Sequence, residues 1–251
     1  MESSWLTLSN IDHHHVATGL LKDRQFEQAW DQLTLMQTAG HEPEGWLRNL
    51  MLYTFSSVCA WKEIHSLLNR SRLPVPPALW LHLLHLSARE HYQPLIQHIW
   101  SHSVKPGFLN PPTGLCTTIL ESCTASGDID LATDVFRILS QRSSPLQTWH
   151  YESLLEAYLT TSDLPSALST IEIMTKAGFP PTEANTRSLY IFLRDNPSQI
   201  PIALSELALE TPIRPIDHVP ITILNTILEA LTHHRSLDEA MDLYHLSLIH
   251  I

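Results

Sequence analysis

Between Thr148 and Thr182 the residues Tyr151, Leu154, Leu155 and Tyr158 fall at i, i+3, i+4 and i+7 among polar neighbours, which places them on one face of an α-helix. Asp163 then stands where a side-chain oxygen can accept from the free N–H groups of a helix start. Pro165 suits a first turn, where its missing N–H is not needed. Leu164, Ala167, Leu168, Ile171 and Met174 share the face of this second helix, and Gly178, with Pro180 and Pro181 beyond it, ends it. The stretch predicts two helices joined by a tight turn and followed by an exit turn.

The exit phrase "MTKAGFPP" (Met174 to Pro181) has an echo in "MQTAGHEP" (Met36 to Pro43), and the same unit recurs along the chain. Proline marks its boundary at Pro43, Pro77, Pro111, Pro145, Pro181 and Pro215, at intervals of 34 or 36 residues. A small residue where two helices must approach closely recurs at Ala29, Ala132, Ala167, Ala203 and Ala240. "GDIDLATDVFRIL" and "RSLDEAMDLYHL" repeat the second-helix pattern, with Ser236 and Glu239 spaced as a capping box. Self-similarity at this period is the mark of stacked helical hairpins. The expected fold is therefore all-α, a right-handed α-solenoid of about seven helix-turn-helix repeats. After an extension over residues 1–9, the units run near 10–44, 45–78, 79–112, 113–147, 148–182, 183–220 and 221–251. The second and third are degenerate: Ile64 replaces the small residue, and the third lacks a Gly-Asp turn. The last stops inside its second helix, so the array is expected to continue beyond Ile251, since a terminal repeat needs a polar capping face.

Composition narrows the function. Hydrophobic residues at 43% are enough for a packed core. Asp and Glu (26) outnumber Lys and Arg (15), giving a net charge of −11, and Arg70 with Arg72 is the nearest thing to a basic cluster. This balance counts against binding nucleic acid by charge alone. Cys59, Cys116 and Cys123 cannot all pair within one chain and form no C-x-x-C, which argues against a disulfide framework or a cysteine zinc site. The first residues resemble neither a secretory signal nor an Arg-rich transit peptide, and no apolar run is long enough to span a membrane.

Candidate chemistry is sparse. His98 and His102 stand at i, i+4 but lack the Glu of a metalloprotease helix, and read as polar residues on the outer face of a helix. His13, His14 and His15 read as a solvated helix start, and His82 and His85 as the polar edge of a core helix. Cys116 and Cys123 share one helical face and read as core packing. Trp46, Trp61, Trp80, Trp100 and Trp149 read as packing between layers, with base stacking the competing use. No phosphate-cradling glycine motif occurs, and no residue presents itself as catalytic, metal-binding or cofactor-binding; no cofactor and no small-molecule substrate are expected.

The series Tyr151, Leu154, Ala157, Tyr158, Asp163, Ala167, Ile171, Met174, Gly178, Pro181 resembles the consensus of the pentatricopeptide repeat family; tetratricopeptide repeats lack support because their Trp and Leu-Gly signature is missing. Units 113–147 and 221–251 are similar, and residues 45–112 much less so. The resemblance implies a non-enzymatic protein of mitochondria or chloroplasts that binds single-stranded RNA one base per repeat. It also implies that bases are read by the residue after the aromatic of the first helix together with the last residue of the repeat. Carried over, the pairs are Thr117 with Gln147, Glu152 with Thr182, and His14 with Glu44, while Asn49 and Asn225 occupy the helix position alone. None of these pairs ends in the Asp or Asn that the family favours, and Glu152 would set a carboxylate beside RNA. The acidic balance supports the alternative, a scaffold or assembly factor whose concave face holds a protein partner. A positive stripe along that face would favour RNA; an acidic or apolar one, protein.

Overall fold

The computed structural model describes residues 9–70, 74–142, 145–207, 220–234 and 237–248. Among these residues there are helices and no strands, so the fold is all-α, built from hairpins of the α-solenoid type. The chain divides at Pro111 and Pro112 into two compact units.

In the first unit, α1 (Asn10–Lys22) pairs with α2 (Phe26–Thr38), α3 (Gly45–Ser56) with α4 (Trp61–Arg70), and α5 (Pro77–Arg89) with α6 (Gln93–Ile99). The degenerate region thus folds into hairpins, and α6 continues as a π-helical turn over Trp100–Val104. The first helices α1, α3 and α5 pack successively against each other. In the second unit, α7 (Thr113–Ser126) pairs with α8 (Ile129–Ser140), α9 (Thr148–Thr160) with α10 (Leu164–Lys176), and α13 (Ile221–His233) with α14 (Leu237–Leu248). Between them stand α11 (Glu183–Asp195), a 3₁₀ turn at Pro197–Gln199 and the short α12 (Ile200–Glu206). Here α7, α9, α11 and α13 follow one another in contact.

The predicted faces are the buried ones. Tyr151, Leu154 and Leu155 on α9 and Leu164, Ala167, Leu168, Ile171 and Met174 on α10 are all buried. The recurring small residues Ala29, Ala132, Ala167, Ala203 and Ala240 are buried too, each letting neighbouring backbones approach at a point where a larger side chain would hold them apart. Ile64 takes the corresponding place in α4 with no exposure at all. Asp128 and Asp163 cap α8 and α10, accepting from Leu131 N–H at 3.1 Å and Ser166 N–H at 3.2 Å. The echoed phrase is a shared helix end. Gly40 and Gly178 take φ of 80° and 88°, and the next residue donates back to a buried methionine carbonyl, His41 to Met36 at 3.0 Å and Phe179 to Met174 at 3.1 Å.

The turns inside five hairpins, those of α1–α2, α3–α4, α5–α6, α7–α8 and α9–α10, also use a left-handed residue: Arg24, Cys59, His91, Gly127 and Ser162, with φ between 54° and 67°. In the third hairpin His91 supplies that backbone without the Gly-Asp pair the sequence pattern leads one to expect. The histidine run corrects a further expectation. His13 and His14 are buried rather than solvated, because α1 packs against α2 and α3; Gln32 Nε2 donates to His13 Nδ1 at 2.7 Å. His15 is exposed. Cys116 and Cys123 lie in the core as expected. The Ser236 and Glu239 pair, Arg72 and Pro215 lie outside the described side chains.

Candidate functional site

The positions singled out in the sequence occupy one register. His14, Asn49, Thr117, Glu152 and Asn225 are each the fifth residue of the first helix of a hairpin, in α1, α3, α7, α9 and α13. The same count reaches Leu81 in α5 and Arg187 in α11, which the sequence reading missed. In α11 Thr186 stands where α9 has Tyr151, and the count from the helix start places Arg187. The second member of each pair is the N-cap of the next first helix: Glu44, Gln147 and Thr182, in extended backbone. At α5, α7 and α13 the N-cap is Pro76, Pro112 or Pro220, whose side chain carries no hydrogen-bonding group.

The pairs differ in what they already hold. Glu44 N–H donates to His14 Nε2 at 3.1 Å, so the His14 proton sits on Nδ1 and donates to Asn10 O at 2.6 Å. Both ring nitrogens are committed, Nδ1 within α1 and Nε2 to the start of the next hairpin. Glu152 and Thr182 meet through Asn185: its Nδ2 donates to Glu152 Oε1, and its Oδ1 accepts from Thr182 N–H at 2.9 Å. Thr117 is partly buried and its hydroxyl donates to Gly114 O at 2.6 Å, while exposed Gln147 donates its N–H to His150 Nδ1 at 2.8 Å. Asn49 Oδ1 accepts from Arg48 Nη2 at 3.0 Å. Arg48 is itself buried, also donates to Pro74 O at 2.8 Å, and has its pKa lowered by that burial. Asn225 and Arg187 are exposed and Leu81 is partly buried.

Two tryptophans join this row. Trp46 and Trp149 are the second residues of α3 and α9, at 50% and 38% exposure; one side of Trp46 packs on His14 of the preceding hairpin, with ring centroids 5.5 Å apart, and both keep exposed surface. Trp46 Nε1 donates to Glu44 Oε2 at 2.8 Å, and Trp149 stacks on His150 with ring centroids 3.6 Å apart. Trp100 is buried, as the packing reading expects, and Trp61 and Trp80 are partly buried. Along the fifth positions of the second unit the side chains are Thr117, Glu152, Arg187 and Asn225, one acid, one base and two neutral groups. The stripe is neither positive nor acidic.

The histidines at the end of α6 are a stack. His98 is partly buried between His102, with ring centroids 4.4 Å apart, and His65, at 5.2 Å. Burial, then His102 and His65, pull its pKa down to about 4. Among the described residues no group of three or more His, Cys, Asp or Glu is arranged to hold a metal ion. Burial raises the pKa of the Cys116 thiol, the direction opposite to that of an activated nucleophile.

No curated protein matches this sequence at a significant level. The crystal structure of the pentatricopeptide repeat protein PPR10 from maize is similar in fold, with a TM-score of 0.52 at 15% identity over 100% of this chain and 36% of that one. The chain therefore spans about a third of the length of that protein. PPR10 has also been solved in complex with an 18-nt psaJ RNA element; against that structure the TM-score is 0.37 at 16% identity, over 96% of this chain and 44% of that one. The sequence profile described as pentatricopeptide repeat-containing protein matches residues 113–247, more than half of the chain and nearly all of its second unit. With its hairpins, their turns and their caps in this register, the chain belongs to the pentatricopeptide repeat family.

Proposed function

We propose that this protein is a non-enzymatic binder of single-stranded RNA that acts in mitochondrial gene expression. The observation that carries the reading is the row of hydrogen-bonding side chains at one register of successive first helices, Thr117, Glu152, Arg187 and Asn225, with exposed Trp149 beside it. Unpaired bases offer their edges to such groups and their faces to aromatic rings, whereas a duplex hides both. The RNA-bound structure of the maize protein adds support by likeness of family. The mitochondrial assignment follows from family resemblance, and imaging the tagged protein in cells checks it.

A net charge of −11, with Arg187 the only cation in the row, favours a second reading, in which these helices hold a basic segment of a protein partner. One titration separates the two. Fluorescent single-stranded RNA pools are titrated with the purified chain at two salt concentrations, beside a duplex control. Saturable binding of single strands in preference to duplex is expected. Absence of binding at the lower salt, where attraction is least screened, sinks the RNA reading and leaves the protein partner.

A further inference from the structure

His150 is the third residue of α9, a place filled by buried Leu47, Leu115 and Ile223 in α3, α7 and α13 and by Asn185 in α11. The two polar residues are buried as well, at 4% and 9% exposure. Each caps its own helix, His150 Nδ1 accepting from Gln147 N–H at 2.8 Å and Asn185 Oδ1 from Thr182 N–H at 2.9 Å. They part in what the other end of the side chain does. Asn185 Nδ2 donates to Glu152, the fifth residue of the preceding first helix. His150 Nδ1 lies 2.8 Å from Gln147 N and 3.3 Å from Gln147 O; the shorter contact makes it an acceptor and leaves the ring proton on Nε2, where the N–H is buried without a partner. The residue equivalent to Glu152 is Thr117, whose short side chain donates within its own helix to Gly114 O. A buried N–H with no acceptor costs free energy until something supplies one. Burial also lowers the pKa of His150, which keeps the ring neutral and its Nε2 a donor at neutral pH.

We propose that Thr117, Trp149 and His150 form a nucleobase subsite in which His150 Nε2–H donates to a base carbonyl oxygen. Thr117 Oγ1, its proton committed to Gly114, accepts from a base N–H. Trp149 stacks on the face of the imidazole, leaving the in-plane Nε2–H direction uncovered by it, and is partly exposed, so it offers a ring on which the base can stack. Adenine is the standard RNA base with no carbonyl oxygen, so this subsite discriminates against it. The inference rests on the RNA reading.

The test is selection from a randomised 18-nt single-stranded pool by the wild-type chain, His150→Leu and His150→Asn. Leucine is the residue that α3 and α7 carry at this place, and asparagine keeps both the cap and the donor, as Asn185 does. The wild-type motif is expected to contain a position depleted of adenine. His150→Leu should relax that depletion by about fivefold, the factor one hydrogen bond is worth, with the other positions unchanged and His150→Asn close to wild type. If His150→Leu melts early by circular dichroism, His150→Ser, which can still cap the helix, takes its place. An unchanged motif in the leucine or serine variant overturns the subsite and leaves RNA binding standing. A wild-type chain that enriches nothing overturns the RNA reading, and the subsite with it.

Discussion

A left-handed backbone is tolerated in these hairpin turns at different cost by different residues. Gly127 has φ of 67°, and a Cβ there would stand 3.0 Å from Thr161 Cγ2 and 3.3 Å from Thr160 Cγ2. Gly127→Ala is expected to lose about 1–2 kcal/mol from conformation alone, with the contact adding to it. Ser162, at φ of 62°, already bears that conformational cost. Ser162→Gly relieves it but frees the unfolded chain, so its net effect should lie within about 1 kcal/mol of zero. Urea unfolding of the two variants side by side checks this, and equal losses would contradict it. Asn185 offers a second test, since it both caps α11 and meets Glu152. Asn185→Ala should cost about 1–2 kcal/mol, and a cycle with Glu152→Ala should show coupling of about 1 kcal/mol, because each variant breaks the same bond. Additive losses would mean that the bond contributes nothing.

At the scale of the element, the end of α6 carries a pH dependence. His98 has its pKa lowered from 6.5 to about 4 by burial, His102 and His65. Between those values the unfolded chain binds more protons than the folded one, so the stability is complete above about pH 6.5 and is lost as pH falls toward 4. Burial lowers the pKa of His82 and His150 as well, which adds in the same direction. The melting temperature should therefore fall from pH 7 to pH 5, and His98→Asn should flatten part of that slope. Thermal melts at three pH values decide it; parallel slopes for the two proteins would remove His98 as the cause.

For the whole molecule the charge balance sets the kind of affinity to expect. Few cations face the proposed ligand, so few counterions leave on binding, and affinity should fall only shallowly with salt. The slope of log affinity against log salt is expected near −1 to −2, with Arg187→Ala reducing its magnitude by about 0.7, the value of one phosphate contact on a single strand. Thr117→Ala and Asn225→Ala should each weaken binding by about fivefold without changing the slope, since they act on base edges. Titrations at four salt concentrations separate the two classes, and a steep wild-type slope would place the binding surface elsewhere. Among the described residues no helix is long and apolar enough to cross a membrane.

The sequence by itself determined the hairpins, because what forms them is local. An aspartate cap needs N–H groups two or three residues away, a glycine exit needs only its own φ, and an apolar face needs a 3.6-residue period. Asp163, Gly178 and the alanine series were legible for that reason, and so was the family. Tertiary structure alone decided what each polar side chain faces, since its neighbour comes from another hairpin some thirty residues along the chain. It buried His13 and His14, left Trp46 and Trp149 exposed, and brought Arg187 into the row. It committed His14 and Glu152 to partners that hold adjacent hairpins together, and left the Nε2 proton of His150 without one. Periodicity places a residue on a face, but only the packing of the next helix determines whether that face meets protein or ligand.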